Sequence, residues 1–225
     1  MLLATWIILG ILFIDQFLKF HIKTSMMLDQ GYPVAGDWFY IHFTENAGMA
    51  FGLEFGGEKG KLMLTIFRIL AVLGIGWYLY KQSKSGASRG FIVSLAMIFA
   101  GASGNIIDCV FYGQLFSDSH YQIAEFLPEE GYAPWFYGRV VDMFYFPIIK
   151  THYPDWFPGM GGQQFIFFRP IFNVADTFIS VGVIAILLFQ KRFFRHERQE
   201  KKQEENQLEA ETNTDQEIES DGSLN

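Results

Sequence analysis

Six acidic, amide or basic residues interrupt apolar stretches of this 225-residue chain, in pairs three or four positions apart. They are Asp15 with Lys19, Asn105 with Asp108, and Asn173 with Asp176. A further aspartate, Asp142, stands in the sequence GRVVDMF (138–144). Two carboxylates in a poorly solvated site cannot both ionise readily, so they share a proton and are suited to activate water and polarise a carbonyl. These residue types therefore indicate acid–base hydrolysis or proton transfer.

Other kinds of catalytic site find little support in the sequence. The five histidines show no HExxH or other paired spacing, so a zinc site is not expected. The single cysteine, Cys109, excludes CxxC motifs and internal disulfides. Ser103 stands in GASGN, which is not the GxSxG elbow of serine hydrolases. We therefore predict a site without metal or cofactor.

Four apolar stretches are long enough to cross a membrane, whose hydrocarbon core of ~30 Å needs ~20 helical residues. They extend over residues 1–20, 62–80, 90–110 and 171–190. The first has no basic residue ahead of its apolar run and no small-residue cleavage site, so it is interpreted as a retained helix. The predicted fold class is a membrane all-α protein with four transmembrane helices and a small β element.

The distribution of basic residues predicts which loops face the cytoplasm. Segment 81–89 carries three Lys or Arg and segment 191–202 carries six, whereas the longer segments 22–61 and 111–170 hold three each. Loops dense in positive charge stay cytoplasmic. Both termini are therefore expected in the cytoplasm, with segments 22–61 and 111–170 on the outer side.

This topology brings the three polar pairs to the outer ends of three helices, and Asp142 could fold onto the same level. An ionisable group costs ~2.5–3.5 kcal/mol at mid-bilayer and usually faces protein or a wet cavity. Several at one depth predict a shared polar site. Two structural alternatives stay open: Asn173 or Asp176 serves only as a helix cap, and Asp15 with Lys19 forms only an i, i+4 ion pair.

The outer segments and the tail differ in composition from the helices. Residues 38–55 are rich in β-formers and are interrupted at Asn46-Ala-Gly, so strand–turn–strand is predicted there. The sequences YAPWFYG and HYPDWFPGMGG indicate an ordered interfacial loop. Residues 1–195 are expected to form the membrane domain. Residues 196–225 are an acidic tail that we expect to be disordered. Residues 1–202 are close to neutral, so nucleic acid binding is not indicated.

Five motifs in this order resemble the lipoprotein signal peptidases (signal peptidase II) of bacteria. They are Asp15-Gln-x-x-Lys, Glu45-Asn-Ala-Gly-Met-Ala-Phe-Gly, Gly101-Ala-Ser-Gly-Asn-Ile-Ile-Asp, Gly138-Arg-Val-Val-Asp-Met-Phe and Phe172-Asn-Val-Ala-Asp. Each motif alone is weak. Together, on four predicted spans, they are specific, and they cover residues 1 to about 190.

The resemblance implies a polytopic aspartyl endopeptidase of the bacterial inner membrane, with its active site at the outer face, and we expect it to function as a monomer. Such an enzyme cuts prolipoproteins before a diacylglyceryl-modified cysteine and is inhibited by globomycin. Its partners would be these substrates and membrane lipids, and it would need no cofactor. The resemblance assigns catalysis to Asp142 and Asp176. It assigns substrate binding or support of the aspartates to Asp15, Lys19, Asn46, Gly104, Asn105, Asp108 and Asn173. We add Arg139, which stands in the GRVVD motif, to this set.

Two features depart from the family pattern. The family commonly has arginine directly after the aspartate of GNxxD, where this chain has Cys109. Arg139 is one candidate for supplying that charge, and Arg68, inside the second span, either pairs with an acid or extends to the interface. The connections between 113 and 138 and between 142 and 173 are longer than usual, and we expect the insertion to cover or widen the substrate entrance.

Two other functions use intramembrane acids. In a small transporter the aspartates would carry ions, but the acids here cluster at one membrane face and the sequence shows no internal repeat. A catalytically inert scaffold related to the peptidases is the other alternative. It is disfavoured because both Asp142 and Asp176 are present.

Overall fold

Four helices in the described part of the chain are long and apolar enough to cross a membrane. The computed structural model describes residues 1–47, 57–152, 154–167 and 170–193. Its helices are α1 (Leu2–Lys23), α2 (Gly57–Lys84), α3 (Arg89–Ile107), α4 (Gly113–Leu115) and α5 (Val174–Phe193), with a π-helical turn, Asp108–Tyr112, between α3 and α4. Its strands are β1 (Gly31–Ala35), β2 (Phe39–Asn46), β3 (Val140–Tyr145), β4 (Ile149–His152), β5 (Gln164–Phe167) and β6 (Ile171–Phe172).

Large apolar side chains lie on the outside of the long helices. Trp6 of α1, Phe67 of α2 and Leu188 of α5 are each more than 65% exposed in the protein alone. Such surfaces are unfavourable in water but match the hydrocarbon of a bilayer, where helices satisfy their own backbone hydrogen bonds. The predicted fold class, four membrane helices with a small antiparallel sheet, is confirmed.

Small residues let α3 pack at the centre of the bundle, where it contacts α1, α2 and α5. Ala96 and Ala100 are fully buried. A Cβ atom at Gly104 would lie 2.6 Å from the Asp15 carboxylate, so glycine is required for α1 and α3 to approach this closely. The sheet is connected to the end of the bundle where α1 ends and α5 begins, called the sheet end below.

The start of the last span was predicted wrongly. Ile171 and Phe172 are extended and pair with Tyr145 and Phe144 of β3, so α5 begins only at Val174. The third span is also longer than the predicted 90–110, because the helical path continues through the π-helical turn and α4 to Leu115. Pairing with a strand distant in sequence decides where α5 begins, and an apolar run cannot reveal it.

The main sheet has the strand order β1-β2-β3-β6, and all its neighbours are antiparallel. The predicted strand before Asn46 is confirmed as β2, but its partners are β1 and β3. The predicted second strand of this unit and the acidic tail fall on residues outside the described ranges. The register of β2 and β3 places Thr44 opposite Asp142.

The segment after α4 belongs to the core at the sheet end. Phe116 and Ala124 are buried with Phe43 of β2 and Val141 of β3. A deletion of residues 114–135 would therefore remove core side chains as well as any cover over the site. The expectation that this insertion covers or widens the substrate entrance stays a prediction.

Candidate active site

Two asparagines connect the carboxylates of Asp142 and Asp176. The amide of Asn173 donates to Asp142 Oδ1 at 2.7 Å, and the amide of Asn105 donates to Asp176 Oδ1 at 2.8 Å. Asn173 Nδ2 also donates to Asn105 Oδ1 at 3.1 Å. Each aspartate therefore has a neutral donor that orients it without placing a positive charge on it. Asp142 lies on β3 and Asp176 in the first turn of α5.

Asn173 serves both as a helix cap and as a member of this cluster. Its side-chain oxygen accepts from the Asp176 backbone N–H at 2.9 Å, and its carbonyl accepts from the Thr177 N–H at 3.2 Å. These contacts close the first turn of α5, as an N-cap does. Its Nδ2 group stays available for Asp142. Because α5 begins after it, Asn173 lies before the helix and not on a helical face shared with Asp176.

Lys19 lies fully buried behind the asparagines. Its ammonium contacts Asp15 Oδ2 at 2.9 Å and Asp108 Oδ2 at 2.8 Å, and it donates to Asn105 Oδ1 at 2.9 Å. Because the Asn105 oxygen accepts from Lys19 and from Asn173, its Nδ2 group is directed at Asp176. The i, i+4 ion pair considered from sequence is therefore present, as part of a larger network that orients Asn105.

Asp15 and Asp108 connect this network to the two elements that carry the aspartates of the cluster. Asp15 Oδ1 accepts from the Ala175 N–H at 2.9 Å, at the positive end of the α5 dipole. Asp108 Oδ2 accepts from the N–H of Val141, the residue before Asp142, at 3.3 Å. The two carboxylates thus hold the start of α5 and one point of β3 against α1 and α3.

Sequence reasoning missed the role of Gln16 in this network. Its amide nitrogen, Nε2, donates to Asp108 Oδ1 at 2.9 Å and to Asp15 Oδ2 at 3.1 Å. Its oxygen accepts from the hydroxyl of Tyr112 at 3.2 Å. Its place beside Asp15 in the first motif was the available signal.

A second buried charged cluster lies one turn further along α1. The Lys23 ammonium pairs with Glu45 Oε1 and donates to Ser119 Oγ at 2.9 Å. Arg139 Nη1 lies 3.0 Å from Glu45 Oε2 and 3.7 Å from Asp118. Arg139 therefore holds β2 and the segment after α4 together. Lys23 was not singled out from the sequence, and Glu45 stood only as the first residue of the second motif, with no role assigned to it.

Asn46 lies beside this second cluster. It ends β2, opposite Val140, two residues before Asp142 on the neighbouring strand. Its side chain is exposed at the strand end. The structure thus places Asn46 at the edge of the site, whereas the other residues of the asparagine and lysine networks lie inside it.

A family model described as signal peptidase (SPase) II matches residues 7–192, which include both clusters. The chain belongs to the signal peptidase II family. A lipoprotein signal peptidase of Porphyromonas gingivalis is 48% identical over 191 residues, covering 83% of this chain and 81% of the relative. One of Amoebophilus asiaticus is 36% identical over 180 residues, covering 78% and 72%.

Solved structures support the same fold. A bacterial membrane enzyme determined by the in meso method at 1.9 Å resolution superposes with a TM-score of 0.55 and 23% identity, covering 82% of this chain and 90% of that one. Together with family membership and the four apolar helices, this makes the chain a multi-pass membrane peptidase of the signal peptidase II family.

In this signal peptidase II, the environment of Asp142 favours a bound proton. Burial, followed by the negative charge of Asp176, raises the pKa of Asp142 to about 7. The positive charge of Lys19 and the hydrogen bond from Asn173 oppose the shift only in part. A carboxyl with this pKa can exchange a proton near neutrality.

The guanidinium beside Cys109 belongs to Arg68. Arg68 Nη1 of α2 lies 3.6 Å from the buried Cys109 sulfur, whereas Arg139 binds Glu45. The suggestion that Arg139 supplies the charge at position 109 is therefore wrong. An arginine from a neighbouring helix occupies this place instead, which no spacing within one helix could predict.

Proposed function

We propose that this signal peptidase II removes signal peptides from prolipoproteins by aspartyl catalysis at Asp142 and Asp176. The observation that carries the proposal is the hydrogen-bonded series Asp142–Asn173–Asn105–Asp176. It orients two carboxylates with neutral amides, while the nearby cation, Lys19, is engaged by two other acids. The pair can therefore keep one proton between them, as hydrolysis by two carboxylates requires.

In the proposed mechanism Asp142 holds this proton, because its pKa is raised to about 7. The Asp176 carboxylate takes a proton from a water molecule whose oxygen attacks the carbonyl carbon. In the same step the Asp142 carboxyl passes its proton to the carbonyl oxygen, which becomes the second hydroxyl of a gem-diol. The resulting gem-diol collapses when Asp176 passes its proton to the leaving nitrogen. Asp142 regains its proton from the diol, so the net reaction adds water across the peptide bond.

The other residues of the first cluster position this pair. They keep β3, α3 and α5 in fixed positions relative to one another, and they are Asp15, Lys19, Gly104, Asn105, Asp108 and Asn173. Asn46 and Arg139, at the rim, are assigned to holding the substrate segment or the strand that borders it. Only Asp142 and Asp176 are proposed to exchange protons with the substrate or the water molecule.

The substrate is proposed to be a prolipoprotein whose cysteine carries diacylglycerol, with cleavage just before that residue. Relatives at 48% and 36% identity are named lipoprotein signal peptidases. We further propose residence in the bacterial inner membrane with both termini cytoplasmic. Basic residues Lys81, Lys84 and Arg89 at the bundle end opposite the sheet support this orientation.

A pair of precursors tests the substrate assignment. Purified protein in detergent is mixed with a diacylglyceryl-modified prolipoprotein or with the same precursor lacking the lipid, and the size shift is followed on a gel. We expect cleavage of the lipidated form only, with inhibition by globomycin. Equal cleavage of both precursors would contradict the assignment of lipid as a recognition element, and absence of any cleavage would contradict the proposed function.

The rate of cleavage is expected to fall as the pH rises through about 7, because Asp142 loses the proton that it donates to the carbonyl. At lower pH, protonation of both carboxylates removes the base, so the profile of kcat/KM is bell-shaped. The check is kcat/KM between pH 5 and 9, with detergent and substrate concentration held constant. A rate that stays constant from pH 6 to 9 would contradict proton donation by Asp142.

A further inference from the structure

The segment 116–136 contacts membrane helices through two exposed pairs of aromatic rings. Phe126 meets Phe20 of α1 edge to face at 5.1 Å between ring centroids, and Trp135 meets Phe111, beyond α3, at 5.8 Å. All four rings are between 40% and 50% exposed in the protein alone. At these two contacts the apolar surface of the membrane spans therefore continues onto the 116–136 segment.

The contacts lie beside the last turns of the spans and not above them. Phe20 is three residues from the end of the first span at Lys23, and Phe111 is four from the end of the third at Leu115. At ~1.5 Å per residue these rings lie ~5 Å inside the ends. Thr65 of α2 donates to the Phe136 carbonyl at 3.1 Å, and it is six residues inside the span that begins at Lys59.

The segment is held rigidly at this level. The Ser117 N–H donates to the Glu125 carbonyl at 3.0 Å, and the Leu127 N–H donates to the Leu115 carbonyl at 2.8 Å. Phe116, between these points, is 1% exposed in the core. Because the backbone is fixed at both ends of this turn, the exposed rings stay at the depth set by α1 and α3.

We propose that the 116–136 segment is inserted into the headgroup region of the bilayer, with its aromatic side chains in contact with lipid. Aromatic rings with both apolar and polar surroundings favour this layer. The segment carries four acids and no Lys or Arg. Attraction to anionic headgroups therefore cannot drive its insertion, and the contact depends on the rings. This proposal concerns the membrane contact and is independent of the catalytic chemistry proposed above.

Single labelling sites within the segment test the proposal. In a Cys109→Ala background, Phe126→Cys, Trp135→Cys and the control Glu129→Cys are labelled with an environment-sensitive fluorophore, and the full chain is placed in phosphatidylcholine vesicles. Glu129 is exposed and lies between the two aromatic positions. Quenching is compared for a spin-labelled lipid and for aqueous iodide, with and without phosphatidylglycerol.

At positions 126 and 135 we expect blue-shifted emission, strong quenching by the lipid probe and loss of most iodide quenching. At position 129 we expect emission typical of water, weak quenching by the lipid probe and strong quenching by iodide. Added phosphatidylglycerol should leave this order unchanged. Equal access of iodide to all three positions would overturn the proposal, as would insertion that appears only with anionic lipid. If the labelled variants do not fold, native tryptophan fluorescence is quenched by brominated lipid in wild type and in Trp135→Phe. The quenched fraction should be lower in Trp135→Phe, and an unchanged fraction would overturn the proposal.

Discussion

Replacement of Asp176 by asparagine is expected to lower the rate of signal-peptide cleavage by ~10³-fold or more, and Asp142→Asn should have an effect of the same size. Each change keeps the side-chain shape and the amide contacts but removes a group that must gain or lose a proton. Because the two carboxylates work as a unit, the double variant should be little worse than either single one. The check is kcat of the purified variants on a diacylglyceryl-modified prolipoprotein.

The matched control is Asp118→Asn. Asp118 lies at the same end of the molecule, but its contacts are to His120 and Arg139 and its side chain is 40% exposed. Its replacement should leave kcat within about threefold of wild type. If either dyad variant retained activity close to that of this control, the assignment of Asp142 and Asp176 would be wrong.

Thermal unfolding separates loss of chemistry from loss of fold. Because the pKa of Asp142 is raised from its ordinary 3.8 to about 7, the proton bound by the folded state contributes stability that is fully present below about pH 4, falls as the pH rises towards 7, and is absent above 7. Asp142→Asn lacks this ionisation. We therefore expect this variant to unfold at a higher temperature than wild type at pH 8, with a smaller difference at pH 5. A variant that is less stable at both pH values would indicate a structural role.

Replacement of Lys19 by methionine is expected to cost ~3–5 kcal/mol of stability, the usual effect of removing one partner from a buried ion pair. The Asp15 and Asp108 side chains are no more than 1% exposed, so the change would leave two carboxylates buried without their cation. Their repulsion should loosen the attachment of α5 and β3, and cleavage should fall with stability. The measurement is the free energy of unfolding in detergent, determined together with the rate of cleavage for the same variants.

Two further variants make this result specific. Lys59→Met replaces an exposed lysine of α2 and should change stability by less than about 0.5 kcal/mol. Adding Asp108→Asn to Lys19→Met removes one of the two unpaired charges and should recover part of the loss, since the residues are coupled. A double variant less stable than Lys19→Met would show that the loss does not come from unpaired charge.

The polar layer was predictable because its cause is local. An acid or amide near the end of an apolar run is visible in the sequence, and the depth of each one follows from the topology. The pairs Asn105 with Asp108 and Asn173 with Asp176 were found in this way, and the structure brings them together. Such reasoning treated a helix cap and a site residue as alternatives for Asn173. It could not show that one side chain serves both roles.

The rest of the site depends on contacts between distant segments. Lys23 and Glu45 are 22 residues apart, and they come together only because β2 and the segment after α4 both pack around the end of α1. The start of α5 depends on the pairing of β6 with β3, and the guanidinium near Cys109 comes from α2. Neither periodicity nor spacing within a segment carries this information. The second cluster was therefore missed, and the charge beside Cys109 was sought at Arg139 and not at Arg68.

The mass of the two products tests the central claim most directly. Wild-type protein is incubated with a diacylglyceryl-modified prolipoprotein in the presence of EDTA, beside the Asp142→Asn/Asp176→Asn double variant. We predict that wild type yields a lipoprotein beginning at the lipidated cysteine with a free α-amine, plus a signal peptide, their masses summing to substrate plus one water, and that the double variant yields neither. Cleavage by the double variant, a cut elsewhere, or loss of wild-type cleavage upon chelation would contradict the account.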